Sequence, residues 1–194
     1  MTDGVAGLVL AAGAGRRFGR PKALLPHGGS LFVEHAVDVL RSGGCAPVVV
    51  VLGAAAETVL ERADLSGART VHNERWPTGM GSSLRLGLRC LNETPTEETS
   101  AALILPVDMP WVTAAAVRRV AAHAAPDALA AARYGGERGH PVLLGRRHWS
   151  GVAERAVGDR GARDYLRERT VTLVSCEDIA SGEDVDRPAD LGGG

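Results

Sequence analysis

The chain has 194 residues, of which 45% are hydrophobic and 23% charged, and its formal net charge is -1 at pH 7. This composition predicts one soluble globular domain with a core of ordinary size. The charge balance disfavours a general nucleic-acid binder or a membrane-surface protein, because both functions usually need a basic excess or a basic face.

The cysteines and the N-terminus bear on the cellular compartment. Cys45, Cys90 and Cys176 are far apart and form no CxxC spacing. This spacing predicts reduced thiols buried as small hydrophobes, and disfavours a zinc site or a disulfide framework. No apolar run approaches the ~20 residues of a membrane span, and the start "MTDG" lacks the features of a signal peptide. We therefore expect a cytoplasmic protein with no membrane or nucleic-acid partner.

In the first half of the chain, buried strands alternate with amphipathic helices. Continuous apolar runs predict strands that are covered on both faces, and apolar residues at helical spacing predict the helices between them. In chain order, the predicted elements are a strand at 7–12, a helix at 31–40, a strand at 47–53, a helix at 54–63, a strand at 68–73, a helix at 81–91, a loop at 92–100 and a strand at 101–106.

The second half continues with both element types. The predicted elements are a helix from Thr113 to His123, strands at 128–134 and 141–145, a helix near 161–168, a strand at 170–176 and a glycine-ended tail that frays. The alternation predicts an α/β fold with a doubly wound, mostly parallel sheet and helices on both faces. No repeat or linker interrupts it, so we expect a single domain over 1–194 that binds ligands at the carboxyl ends of its strands.

The loop after the first strand is the most informative segment. It reads "LAAGAGRRFGRPK", residues 10–22, and contains no GxxxxGK[ST] string, which excludes a Walker A loop. Its glycines Gly13, Gly15 and Gly19 give GxGxxxG rather than the dinucleotide fingerprint GxGxxG. Pro21 disfavours an immediate long helix, and the second strand ends without the acidic residue that would hold a ribose hydroxyl. A nicotinamide site is therefore disfavoured.

A third design fits better, a long glycine-rich loop that wraps a nucleoside triphosphate with backbone N–H groups and nearby cations. Arg16, Arg17 and Lys22 supply the positive charge. The string resembles the LAAGxSxRFGxPK signature of nucleotidyltransferases of the molybdenum-cofactor type, with Gly15 where many members have serine. The resemblance implies that the loop binds the nucleotide and that Arg17 and Lys22 act on its triphosphate. The nucleotide-binding residues implied in this loop are Leu10, Ala11, Ala12, Gly13, Ala14, Gly15, Arg17 and Lys22.

An aspartate follows the fourth predicted strand, in "PVDMP" at 106–110. Asp108 should lie on the ligand-bearing rim of the sheet, where a carboxylate could hold the Mg²⁺ that neutralises a polyphosphate. Without the first loop, a turn former or a helix cap would be the simpler interpretation. The string also resembles the family's magnesium-binding segment.

A second acidic segment is "EDVDRPADL", residues 183–191. In an extended backbone Asp184 and Asp186 point the same way, so both could approach one metal ion. The segment is similar to the family's DxDTPED, which implies Asp186 as a metal ligand supported by Asp184. Arg187 and Ala189 depart from that pattern, which weakens the expected helix cap more than the metal site. A solvated acidic tail is the alternative.

The string "NERWPTGMGSSLRLGL", residues 73–88, bears on the base of the nucleotide. Gly79 and Gly81 permit a close approach of the backbone to a ligand, and Ser82 and Ser83 stand at a predicted helix N-terminus, where they could contact base or ribose. The string resembles that of cytidylyltransferases acting on the molybdenum cofactor, whereas guanylyl-transferring relatives tend to have a GPLAG-like stretch. A serine-capped helix alone is the compatible alternative.

Two later strings, "ERGHPVLLG" at 137–145 and "GDRGARDYL" at 158–166, suit an anionic second substrate. In the second of them, glycines at a helix start beside arginines favour phosphate or a pterin. Alone, His140 would be a loop residue and Arg163 a solvated charge, but both strings are similar to those of the cofactor cytidylyltransferases. The acceptor-binding residues implied are Gly139, His140, Gly158, Asp159, Arg160, Gly161 and Arg163.

The resemblance implies transfer of CMP from CTP to the phosphate of the molybdenum cofactor, with release of pyrophosphate. Arg17, Lys22 and Asp108 would be catalytic, Asp108 and Asp186 would hold Mg²⁺, residues 1–112 would bind the nucleotide and residues 113–194 the acceptor. Transient contact with a molybdoenzyme or a cofactor-delivery protein is a further expectation. The alternatives are a relative that uses GTP or another phosphate acceptor, a nicotinamide-dependent oxidoreductase and a cofactor carrier without catalysis.

Overall fold

A computed structural model describes residues 4–93 and 99–192. Residues 94–98 of the loop predicted at 92–100, and the last two residues of the predicted glycine tail, lie outside the described residues. Within these ranges, no helix has both the length and the apolar character needed to span a membrane.

The fold is built on a seven-stranded sheet, and each of the predicted strands is present. In chain order, its strands are β1 (Val5–Ala11), β4 (Val48–Leu52), β5 (Arg69–His72), β6 (Ala101–Pro106), β7 (Leu129–Tyr134), β8 (Glu137–Gly145) and β9 (Thr172–Ser175), while β2 (Pro26–His27) and β3 (Ser30–Leu31) form a separate small hairpin. The spatial order is β5-β4-β1-β6-β8-β7-β9. Only β8 among these seven runs antiparallel to its neighbours β6 and β7, so the predicted mostly parallel α/β sheet is confirmed.

Six α-helices within the described ranges cover the sheet. They are α1 (Phe32–Ser42), α2 (Ala56–Arg62), α3 (Met80–Glu93), α4 (Ala114–Ala121), α5 (Trp149–Arg155) and α6 (Arg163–Arg167). The apolar side chains of α1, α2 and α4 join one core cluster and those of α3, α5 and α6 join another. Because successive side chains of a strand point to opposite faces, Val9 belongs to the first cluster and Leu8 to the second. This two-sided burial explains the continuous apolar runs of the central strands.

The structure corrects the sequence interpretation in the second half of the chain. The strand predicted at 141–145 begins at Glu137, because Gly135 and Gly136 have positive φ angles of 54° and 89° and turn β7 tightly into β8. Helix α5 was not predicted, because its short span buries only Trp149 and Val152. The three cysteines are buried, as expected.

Candidate nucleotide and metal site

A cleft of about 410 Å³ lies at the carboxyl ends of the two central parallel strands. β1 and β6 are neighbours, with Leu10 paired to Pro106, so the loops that follow them emerge side by side. The predicted loop residues that line this cleft are Leu10, Ala12, Gly13, Ala14, Gly15, Arg17 and Lys22, together with Arg16. Asp108, Asp159 and Asp186 also line it, whereas Ala11 is buried within β1.

The glycine-rich loop folds back on itself at Gly15. The carbonyl of Gly15 accepts hydrogen bonds from the N–H groups of Phe18 at 3.0 Å and Gly19 at 2.8 Å. Gly15 has a φ of +61°, and a Cβ atom there would lie 1.8 Å from the carbonyl oxygen of Arg20. A serine at this position, as in the signature that the string resembles, would not fit this loop conformation.

Lys22 joins the loop to both acidic segments. Its Nζ donates hydrogen bonds to Asp108 Oδ2 at 2.8 Å and to Asp186 Oδ1 at 2.5 Å. Arg17 donates to Asp186 Oδ2 at 2.8 Å, from a far more exposed position. Residues from the start, the middle and the end of the chain therefore meet at one charged cluster.

This pairing fixes the charge of the cluster. Burial opposes the charged form of Lys22, but the hydrogen bonds to Asp108 and Asp186 outweigh it, so the pKa of Lys22 is raised. The hydrogen bond from Lys22 is the main cause of a lowered pKa at Asp186, and the one from Arg17 adds to it. Lys22 and Asp186 are thus both charged at neutral pH.

The C-terminal segment is held in place by its backbone and by one apolar side chain. Val185 is fully buried, with 0% exposure, and its N–H donates to the carbonyl oxygen of Asp108 at 2.9 Å. Asp190 accepts hydrogen bonds from the N–H groups of Asp186 at 2.9 Å and Arg187 at 2.7 Å. Asp190 thus caps this segment, although the sequence predicted a weak helix cap. It stabilises the turn into the 3-10 helix Pro188–Gly192.

The three aspartates are close enough to share a cation. One carboxylate oxygen from each of Asp108, Asp184 and Asp186 lies within 4.8 Å of the other two. An all-oxygen carboxylate set is the donor chemistry that Mg²⁺ and similar hard divalent ions prefer. These residues therefore fit a divalent metal ion.

The string 73–88 contributes one wall of the cleft, through Trp76, Pro77, Gly79, Met80 and Ser83. Gly81 and Ser82 do not line it. A Cβ atom on Gly81 would lie 2.4 Å from the carbonyl oxygen of Ala156, and the Ser82 hydroxyl is within 3.0 Å of the Arg75 and Gly79 carbonyl oxygens.

Sequence reasoning assigned nothing to Asn73, which organises this wall. Its side-chain amide donates to the hydroxyl oxygens of Ser82 at 2.8 Å and Ser83 at 2.9 Å. All three side chains are buried. The amide thus orients the Ser83 hydroxyl at the N-terminus of α3.

A second, smaller cavity of about 150 Å³ adjoins the cleft, and Leu10 and Met80 line both. Its walls bring together five of the predicted acceptor residues, Gly139, His140, Arg160, Gly161 and Arg163, with the unpredicted Arg138. Arg160 pairs with Asp164 at 3.0 Å, whereas Arg138 and Arg163 have no acidic partner within the described residues.

Two predicted acceptor residues lie elsewhere. Asp159 lines the first cleft, where its carboxylate accepts a hydrogen bond of 3.3 Å from the N–H of Met80. Gly158 packs against Gly79, whose φ is +104° and where a Cβ atom would lie 2.4 Å from the carbonyl carbon of Gly158. These residues close the end of the cleft against α3.

His140 is expected to make the protein less stable in acid. Burial lowers its pKa from 6.5 to about 4, opposed by Asp108 and reinforced by Arg138 and Arg163. Between pH 6.5 and about pH 4, His140 binds a proton in the unfolded chain but not in the folded chain. The free energy of unfolding therefore decreases as the pH falls through this range. The lowered pKa of His35, also caused by burial, acts in the same direction.

The His140→Gln variant should therefore lose less free energy of unfolding than the parent chain between about pH 7 and about pH 5. Urea denaturation at the two pH values measures this difference. An identical loss in both chains would show that His140 takes up its proton equally in the folded and unfolded states.

Comparison with known proteins agrees with the geometry of the cleft. The family model described as MobA-like NTP transferase domain matches residues 7–173. The chain belongs to the MobA-like NTP transferase family. The resemblance inferred from the loop, "PVDMP" and the later strings is thereby confirmed at the level of the family.

Named relatives of this MobA-like chain differ in their activities. It is 40% identical over 192 residues to nicotine blue oxidoreductase of Paenarthrobacter nicotinovorans, covering 94% of this chain and 92% of the relative. It is 34% identical over 116 residues to the molybdenum cofactor guanylyltransferase of Xanthomonas euvesicatoria pv. vesicatoria (strain 85-10), covering 60% of this chain and 53% of the relative.

A solved structure extends the comparison to metal binding. Rv0371C of Mycobacterium tuberculosis H37Rv, in complex with manganese, is 26% identical, with a TM-score of 0.72 over 88% of this chain and 87% of that one. Manganese is thus bound in a solved structure of one relative with the same fold.

Proposed function

We propose that this member of the family is a nucleotidyltransferase that transfers CMP from CTP to the phosphate of the molybdenum cofactor. The observation that carries the proposal is the cluster of Lys22, Asp108 and Asp186, held at hydrogen-bond distances in the cleft that the glycine-rich loop lines. Cations, carboxylates and the backbone of a glycine-rich loop around one cleft suit a metal-bound polyphosphate.

The chain's own residues would act mainly by positioning and charge. Lys22 and Arg17 would bind the triphosphate, and Asp108 and Asp186 would hold Mg²⁺. The ion supplies charge neutralisation at the phosphate oxygens. An oxygen of the acceptor phosphate attacks the α-phosphorus, the bond from that phosphorus to the bridging oxygen breaks, and pyrophosphate leaves with the electron pair. The attacking oxygen is already anionic, so the step needs no general base.

The second cavity would hold the acceptor. Arg138 and Arg163 lack acidic partners within the described residues and would pair with its phosphate. Leu10 and Met80 line both cavities, so an acceptor in the second cavity would lie beside the nucleotide. We propose residues 1–112 as the nucleotide-binding part and 113–194 as the acceptor-binding part, with Asp159 and Asp186 as contributions of the second part to the nucleotide cleft.

The choice of base rests on the string 79–84. "GMGSSL" supports cytidine, and Gly79 and Ser83 would contact the nucleotide, whereas Gly81 and Ser82 would shape the helix start. GTP, the nucleotide of guanylyltransferase relatives, is the alternative. We place the reaction in the cytoplasm, where nucleoside triphosphates are available, with transfer of the product to a molybdoenzyme or a delivery protein.

A second candidate is an oxidoreductase, which is favoured by the relative named nicotine blue oxidoreductase. The glycine spacing and the missing ribose-binding acid disfavour a nicotinamide cofactor in the loop at 10–22.

An anaerobic assay with the molybdenum cofactor and Mg²⁺ tests these candidates, with CTP, GTP, ATP and UTP supplied separately. Pyrophosphate release with CTP, abolished by a metal chelator, is the expected result, and it excludes a carrier without catalysis. Release with GTP only would overturn the base assignment. NADPH binding without metal-dependent CTP binding would favour the oxidoreductase.

A further inference from the structure

The ammonium group of Lys22 occupies a position that a metal ion would also need. It lies between two carboxylates, 2.8 Å from Asp108 and 2.5 Å from Asp186, and its side chain is only 14% exposed. These are the carboxylates proposed to hold the divalent ion. The lysine is therefore a resident counter-ion at that place in the cleft.

Asp184 is the third carboxylate of this cluster and differs from the other two. It is exposed, and within the described residues it has no ion pair, yet one of its oxygens lies within 4.8 Å of an oxygen of both Asp108 and Asp186. Val185, fully buried between them, fixes the backbone so that Asp184 and Asp186 both reach the cluster. Asp184 is therefore close enough to Asp108 and Asp186 to bind, together with them, a cation of higher charge than the lysine.

A divalent ion and Lys22 compete for the carboxylate oxygens of Asp108 and Asp186, because two cations in contact with shared ligands repel each other in a partly buried site. Coordination of the ion is therefore strongest when the ammonium group of Lys22 has moved away. Residues 12–17 of the glycine-rich loop line the same cleft as Lys22, so a polyphosphate bound there would offer the ammonium group a new anionic partner.

We propose that Asp108, Asp184 and Asp186 form a three-carboxylate divalent-metal site that Lys22 blocks until a polyphosphate draws its ammonium group away. The second half of this inference rests on the proposed nucleotide cleft. Metal and nucleotide then bind with positive coupling, and by linkage each raises the affinity for the other by the same factor.

The blocking role of Lys22 is tested by titrating the protein with Mn²⁺ in the absence of nucleotide. Electron paramagnetic resonance measures the concentration of the free ion. The Lys22→Met variant should bind Mn²⁺ at least about tenfold more tightly than the parent chain, because the competing charge is gone. Lys22→Arg, which keeps the charge, should bind it as weakly as the parent. Circular dichroism shows that each variant is folded. Equal Mn²⁺ affinity in Lys22→Met and the parent chain overturns the inference.

The role of Asp184 is tested in the same Lys22→Met background. Adding Asp184→Asn should reverse most of the gain in Mn²⁺ affinity, whereas adding Glu183→Gln, an exposed neighbour outside the cluster, should leave it unchanged. A full gain retained without Asp184 overturns its assignment as a ligand.

The coupling between metal and nucleotide binding is measured by titrating CTP with and without Mn²⁺. Binding is read from the tryptophan fluorescence, to which Trp76 in the cleft wall contributes. Mn²⁺ should tighten CTP binding in the parent chain by a larger factor than in Lys22→Met, and equal factors overturn the coupling. If no acceptor receives a nucleotide but Lys22→Met still binds Mn²⁺ more tightly than the parent chain, the proposed reaction is overturned and the proposed metal site is retained.

Discussion

Replacing Lys22 with alanine is expected to lower turnover by about two to three orders of magnitude, on the scale of losing one preorganised charge in an active site. Among the described side chains, Lys22 is the one that donates hydrogen bonds to both Asp108 and Asp186, and it lines the same cleft as the rest of the loop that would hold the triphosphate. Its loss removes a cation needed by the leaving pyrophosphate. Pyrophosphate release under saturating CTP measures the effect.

Arg20→Ala is the matched control for this variant. Arg20 belongs to the same loop, is exposed and does not line the cleft. Turnover in this variant should remain close to that of the parent chain. Near-normal turnover in Lys22→Ala would remove the lysine from the mechanism, and an equal loss in both variants would assign the effect to the loop's overall charge.

Replacing Asp108 with asparagine should lower turnover by about a thousandfold, since the amide keeps the shape but removes the charge that would hold the metal. The fold should be retained, because Val185 binds the backbone carbonyl of Asp108 rather than its side chain. Raising the metal concentration should restore part of the activity. Steady-state kinetics at several Mn²⁺ concentrations measures both effects.

Asp127→Asn changes the charge by the same amount at an exposed position outside the cleft, and should leave turnover unchanged. A metal-binding role would be contradicted if the Asp108→Asn chain bound Mn²⁺ as tightly as the parent chain and its activity stayed low at every metal concentration. Its carboxylate would then serve only to orient Lys22.

The sequence carried enough information for the sheet but not for its full topology. Continuous apolar runs predicted the central strands, since a strand covered on both faces has no polar side. The strand at 141–145 was predicted, but its antiparallel direction and its start at Glu137 were not, although Gly135 and Gly136 form a hairpin signal. The short α5 was missed because only Trp149 and Val152 mark its buried face. Local patterns weaken when elements are short.

In the site, the residues found were those in distinctive strings, such as Lys22 and Asp108. Asn73, Arg138 and the anchoring role of Val185 were not found, because their importance depends on which residues the fold places next to them. Asn73 acts through two serines on the next helix, and Val185 acts through the backbone of Asp108. Such contacts arise only from the three-dimensional packing of the chain.

The pairing of Lys22 with Asp186 joins positions 164 residues apart. During synthesis on the ribosome, the sheet strands β1, β4 and β6 are all complete well before Asp186 is translated, so a nascent chain can assemble the glycine-rich loop while still lacking part of its acidic cluster. A chain cut after β9 would likewise lack Val185 and its two flanking aspartates. The acidic cluster is thus completed only by the last part of the chain to be synthesised.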